Sequence, residues 1–281
     1  MKTNNGVVPN IFFIDIDGTM IGNIHPQVCE WEIVQRYGKG KMPQLRKNIM
    51  KQLENGILRP DFANFIDFLK KRYDDCHIYI YTASETKWAH FIVSCIEQLT
   101  QLKFDRPIFT RSHCSVVNKE YRKSIEHVMP IVYKTLSGTN VYGPNIASIK
   151  DVKANAVLID NNHVLTEANR LVFCPTYEFV DCYDVIRLVN EDVLADNYVE
   201  ISTMLASYDY FPIIPDAKQF SYQVFKALYF TLIGSNIKDS VKNAKHGHSK
   251  DNFWNKLGHE MHKIEYNNLK DSVIKTLNHR I

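Results

Sequence analysis

The sequence predicts an α/β protein: a Rossmann-like parallel sheet flanked by helices, with a small helical insertion near its start and a helical C-terminal extension. Three observations predict it. Short apolar runs recur along the first two thirds of the chain, with the look of strands buried on both faces. Segments with the 3.6-residue apolar spacing of half-buried helices lie between them. Several of the runs end directly in a polar residue, as in sheets that bind ligands outside the carboxyl ends of their strands. With 281 residues, 45% of them hydrophobic, the chain is long enough for one such domain and an appendage.

The first strand is placed at residues 11–14, ending in Asp15-Ile16-Asp17-Gly18-Thr19. Residues 20–58 form an insertion with helices at 27–37 and 44–55 and a basic set of Arg36, Lys39, Lys41, Arg46, Lys47 and Lys51. A helix at 60–72 follows, with Phe62, Phe65, Ile66 and Leu69 on one face. The second strand, 77–81, leads into Thr82-Ala83-Ser84 and a helix at 85–99. Further strands are placed at 107–109, at 131–133 before Lys134, at 156–159 before Asp160-Asn161-Asn162, and at 171–173. Helical patterns then run at 183–190, 196–206, 217–233 and 251–277, with a break at 208–212. The expected division is a core over 1–210, interrupted by the 20–58 insertion, and an extension over 211–281.

Composition narrows the classes. A net charge of +3 does not by itself point to nucleic acid. Six cysteines lie scattered without a Cys-x-x-Cys pair, and the first residues lack the layout of a secretory signal, so reduced thiols in an intracellular protein are expected. The most apolar helical stretch, 220–233, is too short for a bilayer and carries Lys226. His259 and His262 are three residues apart, not the four of a zinc-protease helix, and are expected on a solvated face.

The chemistry concentrates at the strand ends. Two aspartates one residue apart, after a buried strand, are costly to hold close unless a cation neutralises them. Such a pair points to a metal-assisted site with a nucleophilic carboxylate. Asp15, Thr82, Lys134 and Asp160 each follow directly on an expected strand and so converge on one sheet edge.

The Asp-x-Asp-Gly-Thr string resembles the first motif of the haloacid dehalogenase (HAD) superfamily. Further strings resemble one branch of it, the phosphatases acting on the C-terminal domain of RNA polymerase II, also described as NLI-interacting-factor-like. They are Leu58-Arg59-Pro60-Asp61-Phe62, Tyr81-Thr82-Ala83-Ser84, Arg111-Ser112-His113-Cys114, Lys134-Thr135-Leu136-Ser137, Leu158-Ile159-Asp160-Asn161 and Glu167-Ala168-Asn169-Arg170. They occur in the family's order over roughly residues 10 to 205. Gly18 stands where the branch usually has Glu, and an insertion around 138–144 is needed to align Lys134.

The resemblance implies a Mg²⁺-dependent phosphatase. Asp15 would be the nucleophile, giving an aspartyl-phosphate, and Asp17 the general acid and base. Mg²⁺ would rest on Asp15, the Asp17 backbone carbonyl and the Asp160/Asn161 pair. Thr82 and Ala83 would bind the phosphate, with Lys134 favoured over Lys150 as the phosphate lysine. Gly18 and Thr19 would shape the turn. The implied substrate is a phosphoserine or phosphothreonine in a protein. A nucleotide, sugar or nucleic-acid-end phosphate is the alternative, and a non-catalytic binding scaffold the second. No membrane association is expected, and nothing specific supports nucleic acid.

Overall fold

The computed structural model describes residues 6–22, 24–73, 75–179 and 251–263. Its centre is a five-stranded parallel sheet in the order β3-β2-β1-β6-β7. The strands are β1 (Asn10–Ile14), β2 (Cys76–Tyr81), β3 (Asp105–Phe109), β6 (Ala156–Asp160) and β7 (Leu171–Phe173). Two more, β4 (Ser115–Val117) and β5 (Glu120–Arg122), form a separate antiparallel hairpin. Between β1 and β2 come α1 (His25–Tyr37), α2 (Met42–Gln52) and α3 (Phe62–Arg72). Helix α4 (Thr86–Thr100) joins β2 to β3. Helices α5 (Ile125–Ser137) and α6 (Ile149–Ala154) precede β6, and α7 (Phe253–Lys263) lies in the C-terminal part.

Strand β1 is central because every residue of it is apolar or satisfied, and all five are buried. Its register sets Ile14 opposite both Ile80 and Ile159. That places Asp15, Thr82 and Asp160 together at the carboxyl edge. On one sheet face Phe13 meets Tyr79, Tyr81 and Phe109 at ring separations of 5.8, 6.0 and 5.9 Å. The same core cluster takes in Ile125, Val128, Met129, Val132 and Leu136 of α5. Those positions follow the helical 3, 4 and 7 spacing.

Residues 131–133, expected as a strand, are therefore part of α5. Ile131 and Val132 favour strands locally, but the buried face of a thirteen-residue helix decides their state. Ser124 caps that helix by accepting from the His127 N–H at 3.2 Å. Glu167 adds a second cap, accepting from the Ile125 and Glu126 N–H groups at 3.2 and 2.9 Å.

The chain divides into two compact units. One holds the sheet with residues 59–177 and α7; the other holds residues 22–58. In the latter, Leu45, Ile49 and Gln52 are buried along α2, and Gln27 of α1 donates to Gln52 at 2.8 Å. In the former, α7 seats Trp254 between Phe62 and Phe65 of α3, with ring separations of 5.3 and 4.9 Å. The extension expected at 211–281 thus contributes a helix to the sheet's own unit. The helices expected at 183–190, 196–206 and 217–233, and the break at 208–212, lie outside the described residues. Among the described residues, no helix is long and apolar enough to cross a membrane.

Candidate active site

At the carboxyl edge of the sheet, the main chain turns sharply after β1. Thr19, Met20 and Ile21 all donate N–H groups to the Ile16 carbonyl, at 3.3, 2.9 and 3.0 Å. Gly18 makes that turn possible. Its φ is +75°, and a β-carbon there would lie 2.5 Å from the Asn161 side-chain nitrogen. Any larger residue meets both a conformational and a steric barrier. The glycine at this position is thus accounted for locally, by the turn and by Asn161.

Thr19 is fully buried and links the turn to β6. Its hydroxyl lies 3.1 Å from Asn161 Oδ1 and 3.4 Å from Asp15 Oδ2, and accepts the Asn161 N–H at 3.0 Å. Asp17 is half-buried and accepts a short hydrogen bond from the Ser84 hydroxyl. Thr82 is buried, its N–H donates to the Phe109 carbonyl at 2.9 Å, and its hydroxyl accepts from the Ser84 N–H at 3.1 Å. The Ala83 carbonyl accepts from Arg111 Nε at 2.8 Å. The Thr82-Ala83-Ser84 loop is therefore tied at both ends beside Asp17.

The cation at the site is Lys123. Its side chain is 2% exposed, and its ammonium lies 2.5 Å from Asp15 Oδ1 and 2.7 Å from Asp160 Oδ2. The backbone of Lys123 is spliced into the loop after β6. Its N–H donates to the Val164 carbonyl and its own carbonyl accepts from Thr166, at 2.9 and 3.0 Å. Burial pushes the Lys123 ammonium towards neutrality, but Asp15 and Asp160 more than offset this and hold it charged. Asp15 is pushed up to about 7, first by burial and then by Asp160 and Asp17, against the opposing pull of Lys123.

Lys134 and Lys150, the two lysines expected to hold the phosphate, are elsewhere. Both are exposed on helix surfaces, Lys134 on α5 and Lys150 on α6. Lysines on those solvated surfaces have no place beside Asp15, and Lys123 occupies that place instead. Lys123 escaped the sequence argument because it follows the small β4–β5 hairpin and not a strand of the main sheet. One signal was available: it comes soon after the Arg111-Ser112-His113-Cys114 string and directly before the capping Ser124 of an amphipathic helix.

A divalent cation is the remaining question of charge. Two carboxylates, Asp15 and Asp160, flank one ammonium, and Asp17 stands two residues from Asp15. Among the described residues no three His, Cys, Asp or Glu side chains converge as a metal-binding group. A cation here would instead rest on Asp15, the Asn161 side-chain oxygen and the Asp17 backbone carbonyl. Asp160 commits both its oxygens within the protein, to Lys123 and to the Asn162 N–H at 2.7 Å. Asn161 Oδ1 and Asp15 Oδ2 both lie within reach of the Thr19 hydroxyl, and Asn161 Oδ1 also accepts from the Asn162 side-chain amide at 3.0 Å. All of these donors are hard oxygens, few in number, with an excess of negative charge. That set fits Mg²⁺, which keeps several waters and takes one or two carboxylates.

The chain belongs to the NLI interacting factor-like phosphatase family, whose model matches residues 11–184. Among solved structures, it is similar to the RNA polymerase II CTD phosphatase Fcp1. One is the fission yeast protein, an Arg-to-Ala variant bound to beryllium fluoride, at 14% identity and a TM-score of 0.36 over 85% of this chain and 67% of that one. A second Fcp1 structure gives the same identity and TM-score over 85% and 66%. No curated protein is matched by the sequence.

Proposed function

We propose that this phosphatase is Mg²⁺-dependent, works through an aspartyl-phosphate on Asp15, and acts on phosphoserine or phosphothreonine in proteins. The observation that carries the chemistry is the buried Lys123 ammonium held between Asp15 and Asp160. It gives the site a fixed positive charge beside the attacking oxygen. The protein substrate rests on the resemblance to the polymerase-tail branch.

In the first step an Asp15 carboxylate oxygen attacks phosphorus, and the bond from phosphorus to the seryl or threonyl oxygen breaks. Asp17 supplies the proton that the departing oxygen needs. In the second step Asp17, now a carboxylate, takes a proton from water as that water attacks the aspartyl-phosphate. Phosphate leaves and Asp15 is regenerated. Lys123 neutralises negative charge on the transferring group, and the Thr82 and Ala83 loop provides hydrogen-bond donors to its oxygens. Ser84 holds Asp17 in reach between the two steps. Mg²⁺ held by Asp15, Asn161 and the Asp17 carbonyl would offset the repulsion between a carboxylate and a phosphate dianion.

The test is phosphate release by the full chain, with Mg²⁺ or EDTA, on an aryl phosphate and a panel of phosphopeptides, nucleotides and sugar phosphates. Turnover should need Mg²⁺, disappear in Asp15→Asn and be fastest on phosphopeptides. A faster rate on nucleotides or sugars overturns the substrate class alone. Full activity of Asp15→Asn overturns the mechanism.

A further inference from the structure

The family-matched region ends at residue 184, yet a residue far beyond it reaches the catalytic turn. The connection runs through Arg59, which is 2% exposed. A guanidinium stays charged wherever it is placed, so a buried one needs a partner. Asp251 is that partner. Arg59 Nε and Nη2 donate to its two carboxylate oxygens at 3.0 and 2.8 Å, a fork on a fork. Phe253, two residues on, lies 4.7 Å from the guanidinium carbon. Asp251 also accepts the Phe253 N–H at 3.4 Å as α7 begins.

The opposite side of Arg59 faces the turn. Its backbone N–H donates to the Met20 carbonyl at 3.0 Å. Its Nη1 donates to the Pro175 carbonyl at 2.9 Å and reaches the Thr19 carbonyl at 3.4 Å. Thr19 in turn presents its hydroxyl to Asp15 and Asn161. With its carboxylate partner removed, the fork would turn towards other acceptors, and Thr19 would lose a hold on its main chain.

We propose that Asp251 is a positioning residue of the phosphatase site, acting through Arg59 on the turn that carries Thr19. The C-terminal segment is on this account a working part of the catalytic unit. The inference rests on the site reading given above, and its test separates the two. Asp251→Asn in the full chain is assayed on an aryl phosphate with Mg²⁺, beside Asp251→Glu and Trp254→Phe. Hydrogen exchange of residues 15–22 is measured by mass spectrometry on the same proteins.

Asp251→Asn should lower kcat about 10- to 100-fold, the scale for a group that holds ligands in place, with KM little changed. Asp251→Glu should restore most of the rate. Exchange at 15–22 should quicken in Asp251→Asn only. Trp254→Phe loosens the α7 contact without touching the fork, so it should lower Tm and leave kcat alone. A folded Asp251→Asn with wild-type kcat and exchange overturns the proposal, as does an equal kcat loss in Trp254→Phe. If Asp251→Asn does not fold, Phe253→Leu decides. It removes the ring against Arg59, and a kcat loss beyond that of Trp254→Phe supports the proposal, whereas an equal one overturns it. Wild-type protein inactive on every substrate would strike the catalytic reading, while the exchange comparison would still decide the positioning.

Discussion

Replacing Lys123 with methionine tests the centre of the site most directly. The lysine is 2% exposed, and the side chains of its partners Asp15 and Asp160 are 6% and 0% exposed. At an effective dielectric of about 20 and about 4 Å between charge centres, each pair is worth about 4 kcal/mol before desolvation. Removing one partner of a buried ion pair costs about 3–5 kcal/mol net, because the remaining charge stays buried. For a unit of this size that corresponds to a fall in Tm of about 6–20 °C. The loss should depend on pH. Asp15 already sits at about 7, and Lys123 is the group that holds it down, so its removal drives Asp15 higher. An acid whose folded pKa lies above its ordinary value destabilises the fold increasingly as pH climbs between the two. The Tm deficit, measured by calorimetry in EDTA, should therefore be larger at pH 8 than at pH 6. Loss of the charge beside the transferring phosphate should lower kcat about 10²- to 10³-fold. Lys134→Gln and Lys150→Gln, on exposed helix surfaces, should change stability by no more than about 0.5 kcal/mol and leave kcat as it is. A Lys123→Met protein with wild-type Tm and turnover, or a Lys134→Gln protein without turnover, refutes the assignment.

Three further outcomes are expected. Gly18→Ala places a β-carbon against Asn161 at a φ of +75°, so it should lose about 1–3 kcal/mol of stability and most activity; urea denaturation and phosphate release check it, and an unchanged midpoint contradicts it. Ser84→Ala removes the hydroxyl donating to Asp17 and should lower kcat by up to about tenfold without altering the fold, since one hydrogen bond contributes about 1 kcal/mol. Glu167 is held below its ordinary 4.5: burial opposes this, but the Glu126 N–H and the Thr166 and Ser124 hydroxyls outweigh it. Its contribution is complete above the unfolded value and fades as pH falls through the lower folded value, so Glu167→Gln should remove part of the stability lost on acidification from pH 5 to pH 3; identical acid unfolding of the two proteins contradicts this.

The parts legible in the sequence were those governed by short-range pattern. Strands β1, β2 and β6 are apolar runs ending in polar residues, and α3 and α4 carry clear apolar faces, so their burial was written into their spacing. Asp15, Thr82 and Asp160 are legible because a parallel sheet collects strand ends at one edge, and Asp17 because it pairs with Asp15 one residue apart; the same reasoning misplaces Lys134, whose expected strand is part of α5. Strand and helix competed at 131–133, where β-branched residues and Pro130 in mid-helix masked a longer period through Ile125, Val128, Met129, Val132 and Leu136. Lys123 was hidden for a different reason. The hairpin before it leaves Val116, Val117 and Tyr121 largely exposed, so no burial pattern announces it. The partnership of Arg59 with Asp251 spans 192 residues and involves two isolated charges, which no local periodicity encodes.

The splice between Lys123 and the loop after β6 has a consequence for anyone rebuilding this site. The main-chain bonds to Val164 and Thr166 mean that the ammonium and the Asp160 carboxylate it meets are carried on one braced pair of segments. A chimera that exchanges residues 115–123 for another sequence would have to bring residues 160–167 with it. Moved together, the two segments keep the main-chain bonds that aim the ammonium at Asp160; moved singly, either one loses them.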